Sequence, residues 1–281
     1  MIFKYSYIFI LDFFKDTKNK FAIPKSLYLI IQMKFIYLIL FSLIPLYNFA
    51  LVKDSLELKT SIPHKAPSLF VSLELTSHYI WRGLEYGNSP TSFGKFIYTT
   101  KHFDAYLEGI YGLNDSHSEV DLGVGLSYKW IYFGLSDYYY PSSVGKKDKY
   151  FRLNNKTTGH YIEAYSIITP KCLPFQLTLS SYVFGADKKG NGKQAFSSYA
   201  ELTYIQNLKN NTNLELTIGA NLNKGFYTEY IDGISITNIA LKYNTNFKFG
   251  SFLLPVSASY VVNPYKNKSF FIITVYFTSK L

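Results

Sequence analysis

Arg82 is one of only two arginines in the 281-residue chain. Glu74, Glu108, Asp121, Glu163, Glu201 and Glu215, with Lys242, fall on the polar phase of segments whose alternate residues are apolar. Fixed charges of both signs on one face of a folded chain suit two kinds of chemistry. They can line a water-filled passage and set which ions cross a constriction. They can also form an ion-pair network that packs a narrow interior.

Covalent catalysis needs a different set of residues. A hydrolase requires a nucleophile with a histidine base, and the histidines are His64, His78, His102, His117 and His160. His64 lies in a linker, and His102 and His117 fall near predicted turns. His78, after Thr76-Ser77, and His160, near Glu163, are placed on strands. No phosphate-binding glycine loop, His-Glu-x-x-His or nucleophile elbow is present. The single Cys172 excludes a disulfide framework and every zinc site built on two or more thiolates. Metal chemistry would have to rest on histidines and carboxylates. The residues therefore point to no catalytic centre, no cofactor and no metal.

The formal net charge is +10, which raises nucleic acid as a partner. Residues 1–50 hold six of the 29 Lys and Arg and only two of the 19 Asp and Glu. The remaining excess is lysine scattered through turn-like stretches such as Lys146, Lys147 and Lys149, or Lys188, Lys189 and Lys193. Nucleic-acid binders concentrate such charge on one face, so no nucleic-acid partner is expected.

Residues 35–50, an apolar run behind Met33-Lys34 that ends at Ala50, read as the core of a secretory signal peptide. Residues 33–50 are then the leader and 1–32 an upstream extension ahead of the start at Met33. The alternative is an uncleaved membrane helix, since Ser26 to Leu51 approaches the length of a span, but Gln32 and Lys34 interrupt it. Residues 51–67, with Pro63 and Pro67, read as a linker.

From Ser68 onward no apolar run is long enough for a membrane helix. Alternation takes its place. Val120, Leu122, Val124, Leu126 and Tyr128 interleave with Asp121, Gly123, Gly125, Ser127 and Lys129, and the same period of two recurs at 213–221 and 238–248. Weaker versions lie at 68–81, 91–100, 102–111, 131–140, 158–168, 174–184, 196–206, 253–263 and 269–277. Short links such as Lys129-Trp130 alternate with long polar ones such as 141–157. Many segments are near ten residues, the length that crosses a bilayer at a tilt, and Tyr and Phe crowd their ends. Soluble sandwiches manage with shorter strands, and no sequence repeat suggests a propeller or solenoid. The expected fold is all-β: a closed antiparallel transmembrane β-barrel of about 12 strands, an up-and-down meander over 68–281. Phe271, Ile273, Val275 and Phe277 alternate in the closing strand, although the chain runs on from Thr278 to Leu281.

Ser77-His78-Tyr79-Ile80-Trp81-Arg82-Gly83, Glu119-Val120-Asp121-Leu122, Gly185-Ala186-Asp187 with Ser197-Ser198-Tyr199-Ala200-Glu201, Asp232-Gly233 before Thr237-Asn238-Ile239-Ala240-Leu241, and Asn263-Pro264 carry a likeness to a family. Over residues 68–277 the chain resembles the TorF family of porins in its Bacteroidetes-type members. The resemblance implies an outer-membrane barrel of a Gram-negative bacterium and supplies no catalytic residues. A porin-like channel for small polar solutes or ions is expected, with outer-membrane lipid and the barrel-assembly machinery as partners. The alternatives are a non-conducting structural or adhesive surface barrel acting through loops 141–157, 185–195 and 222–233, and an outer-membrane hydrolase.

Overall fold

Every alternating segment after Ser68 becomes a strand. In the computed structural model, residues 67–141, 150–155, 157–250 and 252–281 are described. The extension 1–32, the leader 33–50 and linker residues 51–66 lie outside the described residues. Strand β1 (Ser68–Thr76) is followed by a short hairpin, β2 (Tyr79–Trp81) and β3 (Leu84–Gly87). Then come β4 (Thr91–Thr99), β5 (Phe103–Gly112), β6 (Ser118–Tyr128), β7 (Ile131–Tyr139), β8 (His160–Ile168), β9 (Phe175–Gly185), β10 (Ser198–Asn207), β11 (Asn213–Asn221), β12 (Ser235–Phe249), β13 (Phe252–Asn263) and β14 (Lys268–Lys280). The described residues contain no α-helix, only a 3-10 turn at Phe226–Thr228.

β1 and β4 to β14 pair antiparallel, each with its neighbour in sequence, and β14 returns to β1 to close a twelve-stranded up-and-down barrel. The seam runs from Phe70 opposite Lys280 to Thr76 opposite Thr274. It is extended at both ends by Leu281 N–H to Leu69 O (2.9 Å) and Ser77 N–H to Ile273 O (2.9 Å). Thr278 and Ser279, which follow the expected end of the closing strand, are thus paired with Ser72 and Val71.

The first strand is shorter than the alternation at 68–81 suggests. Thr76 Oγ1 bonds the carbonyl of His78 (3.2 Å), and Ser77 Oγ accepts Ile273 N–H (3.0 Å). These bonds end β1 on the seam. His78 consequently stands in a bend and not on a strand, and the chain beyond it forms the separate hairpin.

The meander gives the barrel two unlike ends. At the turn end the links are residues 100–102, 129–130, 169–174, 208–212 and 250–251. At the loop end they are 77–90, 113–117, 140–159, 186–197, 222–234 and 264–267.

Burial is inverted relative to a water-soluble domain. Leu122, Val124 and Leu126 of β6 are 41%, 45% and 58% exposed, whereas Asp121, just before them on the other phase, is 3% exposed. The same holds around the barrel. Leu73, Phe96, Leu107, Leu135, Ile218, Leu241 and Phe271 face outward, while Ser136, Glu163, Asn221, Ser257 and Asn263 are buried inside. Period-two patterning supplies both faces from one strand.

Inside, tyrosine rings lie over glycines of the adjacent strand. A Cβ at Gly123 would fall 2.0 Å from the Tyr106 ring, at Gly125 1.8 Å from the Tyr132 hydroxyl, and at Gly134 2.2 Å from Tyr165. The glycines make room for rings that would otherwise stand across the interior. Tyr132 then reaches Asp104 Oδ2 (2.6 Å) and Tyr106 bonds Ser136 Oγ (2.7 Å).

Gly125→Val is expected to push Tyr132 off Asp104 and to lower stability by about 1–3 kcal/mol, the usual cost of overpacking. Gly94→Val, where an added Cβ meets nothing within 4 Å, is the control and leaves the unfolding midpoint of the refolded protein nearly unchanged. Equal midpoints for the two variants would contradict the ring-on-glycine packing.

Candidate functional site

The hairpin β2–β3 folds into the loop end of the barrel and carries Arg82 to its centre. Trp81 pairs with Leu84 across Arg82-Gly83, and both turn residues have positive φ, 51° and 77°, as a two-residue hairpin turn of the primed type requires. Gly83 is also held by space: a Cβ there would come within 1.8 Å of the carbonyl oxygen of Thr237 of β12. Asn263 Nδ2 donates to Gly83 O (3.0 Å) and fixes the tip.

Arg82 grips Glu163 through both nitrogens, Nη1 to Oε1 at 2.5 Å and Nη2 to Oε2 at 3.2 Å. Nη1 also donates to the Tyr227 hydroxyl. The carboxylate is completed by Tyr138 O–H to Oε2 (2.9 Å). The guanidinium lies over the rings of Trp81 and Tyr199, 4.2 and 4.7 Å from their centroids. Both charges are out of water, with side chains 11% and 1% exposed. A bidentate pair enclosed by hydroxyl donors and aromatic faces is the arrangement in which a buried ion pair holds.

Two bulges aim the wall at this point. Opposite Ile162 and Glu163 the register skips Val183 of β9, and opposite Gly219 and Ala220 it skips Thr237 of β12. An extra residue bends its strand locally. One bulge adjoins the carboxylate that Arg82 grips, and the other the carbonyl that Gly83 abuts.

Aromatic residues fill the space around the tip. Tyr182, Tyr199 and Tyr227 are buried together, with Trp81, Leu84, Tyr138, Tyr161 and Phe226 packed on them. Tyr227 and Phe226 belong to loop 222–234, which is tied down by Asp187. Its carboxylate accepts from Ser197 N–H (2.9 Å), Ser197 O–H (2.6 Å) and Tyr230 O–H (3.0 Å), and Ser197 Oγ in turn accepts Phe226 N–H (2.7 Å). At the rim, Glu85 of β3 accepts from Lys268 of β14 (2.8 Å) and bonds His78 (2.9 Å). The hairpin thus makes contacts from β14 across to β8.

The other charged residues singled out from sequence form smaller groups. Glu201 accepts Tyr199 O–H (2.7 Å) and Asn238 Nδ2 (2.9 Å), one ring away from Arg82. Glu108 stands opposite Asp121 across β5 and β6 and pairs with Lys95 (3.0 Å). Lys242, opposite Glu215, donates to the Tyr276 hydroxyl (3.1 Å), and Tyr276 lies opposite Glu74 across the seam. Glu215 itself accepts Asn244 Nδ2 (2.9 Å). Sequence reasoning did not single out Tyr138, Tyr199 and Tyr227, whose hydroxyls and rings enclose the ion pair, or Gly83, on which the hairpin's approach depends. The pattern Tyr79-x-Trp81-Arg82-Gly83-Leu84-x-Tyr86, alternating on both sides of a glycine-containing pair, was the available signal.

His160 is held between two acceptors. Its Nδ1 faces Asp137 (2.8 Å), but its Nε2, where a nucleophile would have to sit, faces the carbonyl of Tyr150 (2.5 Å). Among the described residues no group of three or more His, Cys, Asp or Glu is arranged to hold a metal ion.

No protein-family model and no curated protein sequence matches the chain. Among solved structures it is similar to the COG4313 outer membrane channel from Pseudomonas putida F1, with 13% identity over 83% of this chain and 100% of that one and a TM-score of 0.41. A structure from work on in-meso crystallization of membrane proteins aligns at 10% identity over 76% of this chain and 84% of that one, TM-score 0.42. A bacterial polysaccharide outer membrane secretin aligns at 8% identity over 78% and 98%, TM-score 0.34.

Proposed function

We propose that the chain is an outer-membrane channel for small polar solutes or ions, held shut at its loop end by the Arg82 hairpin. The observation that carries this reading is the inverted burial of a closed barrel: an apolar band outside and charged, hydroxyl and amide groups inside. Only a lipid surround makes the outer band stable, and closure is what satisfies the backbone there. The loop end then faces outward from the cell and the turn end the periplasm, as in barrels of this type. The likeness of residues 77–83 to TorF porins supports the same reading, as does the alternating aromatic β14, which suits recognition by the barrel-assembly machinery.

The Arg82–Glu163 pair is the latch. Removing one partner of a buried pair leaves the other charge unpaired, a cost of about 3–5 kcal/mol. Swinging the hairpin out lets water relieve that cost. Arg82→Ala is therefore expected to raise single-channel conductance in planar bilayers several-fold over a wild type that is mostly closed, and Glu163→Gln to do the same to a lesser degree. A silent barrel in wild type and both variants would favour a structural or adhesive role instead.

A second contact at the rim responds to pH. Hydrogen bonding from Lys268, with a smaller contribution from His78, holds the Glu85 carboxyl below the usual carboxylate range against its partial burial. A group with a depressed folded-state value stabilises fully above its ordinary value and loses that contribution as pH falls through the depressed one. Conductance is expected to rise as pH drops below about 4, and Glu85→Gln to be more open at neutral pH. An acid response identical in wild type and Glu85→Gln would remove Glu85 from the closure.

A further inference from the structure

The links at the turn end of the barrel carry lysine and no acid, and the acid next to them, Asp104 of β5, is turned inward onto Tyr132. Lys101, Lys129, Lys171 and Lys209 each occupy a different turn, Lys248 lies near the end of β12 beside the fifth, and Lys280 ends β14. The links 100–102, 129–130, 169–174, 208–212 and 250–251 contain no Asp or Glu. All of these lysines are exposed, and none is in an ion pair among the described residues. The loop end differs: its lysines are interspersed with Glu85, Asp115, Asp187, Glu229 and Asp232, and Lys266 and Lys268 are paired with Glu229 and Glu85.

We infer that the turn lysines Lys101, Lys129, Lys171 and Lys209 bind the anionic phospholipid headgroups of the leaflet at the turn end. The inference rests on the membrane-spanning reading and not on conduction. The four turn lysines sit on successive turns, one for each pair of strands from β4 to β11, whereas Lys248 and Lys280 share the inward phase of Lys242 and Tyr276. Neighbouring turns are therefore roughly 10 Å apart across two strand spacings, a separation on the scale of single headgroups and near the Debye length of about 8 Å. Each lysine then acts on its own ligand. A protein partner docking from one side would meet only a few of them, so the distribution fits many small anions better than one large one.

Depth agrees with this assignment. Phe103, Tyr128, Trp130, Phe175, Phe249 and Phe252 are exposed at the same end, the level at which aromatic rings mark the lipid and water boundary. Lys129 Nζ lies 5.1 Å from the centroid of the Tyr128 ring. The amines thus sit at the height of the lipid phosphates, where each lysine near an anionic surface gains on the order of 1 kcal/mol.

Trp130, next to Lys129, reports on the local lipid. The full-length protein is reconstituted in phosphatidylcholine vesicles with a minor fraction of phosphatidylglycerol, and emission is quenched by bromine on the chains of one lipid or the other. Trp130→Phe supplies the contribution of Trp81. Phosphatidylglycerol around Trp130 is expected at about three times its bulk fraction at low salt, declining toward bulk as salt is raised. Enrichment should also fall in Lys129→Gln and vanish when all four turn lysines are Gln. A local composition equal to bulk in the wild type, or an enrichment insensitive to both salt and Lys129→Gln, overturns the inference. Failure of the protein to float with the vesicles would instead remove the membrane reading on which it stands.

Discussion

The hydrogen bonds between β1 and β14 are the constraint on which the molecule depends. A strand at the edge of an open sheet presents unpaired N–H and C=O groups, which lipid cannot satisfy. The seam removes both edges at once, from Leu281 on Leu69 to Ser77 on Ile273. It also explains why β14 continues past the aromatic pair Tyr276-Phe277: Thr278, Ser279 and Lys280 complete the ladder against Ser72, Val71 and Phe70. The apolar band can face outward only because this ladder is complete.

Closing twelve strands creates a second problem, since such a wall encloses more space than its own side chains fill. The chain answers it differently at the two ends. Toward the turn end, Tyr106, Tyr132 and Tyr165 are laid along the wall over glycines. At the loop end, an entire hairpin is inserted and clasped by Glu163, Asn263 and Lys268. The hairpin is a short two-stranded ribbon, which is marginally stable alone, and Arg82 sits in a backbone conformation that non-glycine residues avoid. Its conformation is therefore sustained by the wall, and what weakens the wall contacts releases it. That coupling is what the proposed latch would rely on.

The barrel was legible in the sequence because a period of two survives in almost every segment, and Leu122 and Val124 face outward as that period demands. The charged residues marked on the polar phase stand on the inner wall for the same reason. The inserted hairpin was not legible. Alternation lapses only at Ser77 before resuming at Tyr79 and Trp81, and the residues that end β1, Thr76 and Ser77, do so by bonds to His78 and Ile273 that no local pattern announces. The turn is Arg-Gly, not the Asn-Gly or Asp-Gly that marks such hairpins. Which carboxylate Arg82 would meet depends on the bulge at Val183, a register shift invisible in one strand read alone.

The composition follows from the same geometry. Phenylalanine and tyrosine are nearly equal in number, 24 and 27, and both occur on the outer face, but the buried interior rings are mostly tyrosine. Phe96, Phe133, Phe247 and Phe271 are outside and exposed, while Tyr138, Tyr182, Tyr199 and Tyr227 are inside. A polar interior that must also be filled needs bulk with a hydrogen-bonding end, which tyrosine supplies and phenylalanine does not. Around Arg82 this matters twice: the rings of Tyr199 and Tyr227 lie beneath the cation, and the hydroxyls of Tyr138 and Tyr227 serve the ion pair. A leucine-filled interior of equal volume would leave Glu163 without those donors and turn the latch into an uncompensated buried charge pair. The tyrosine excess is thus the means by which an interior can be closed by bulk and still hold charge.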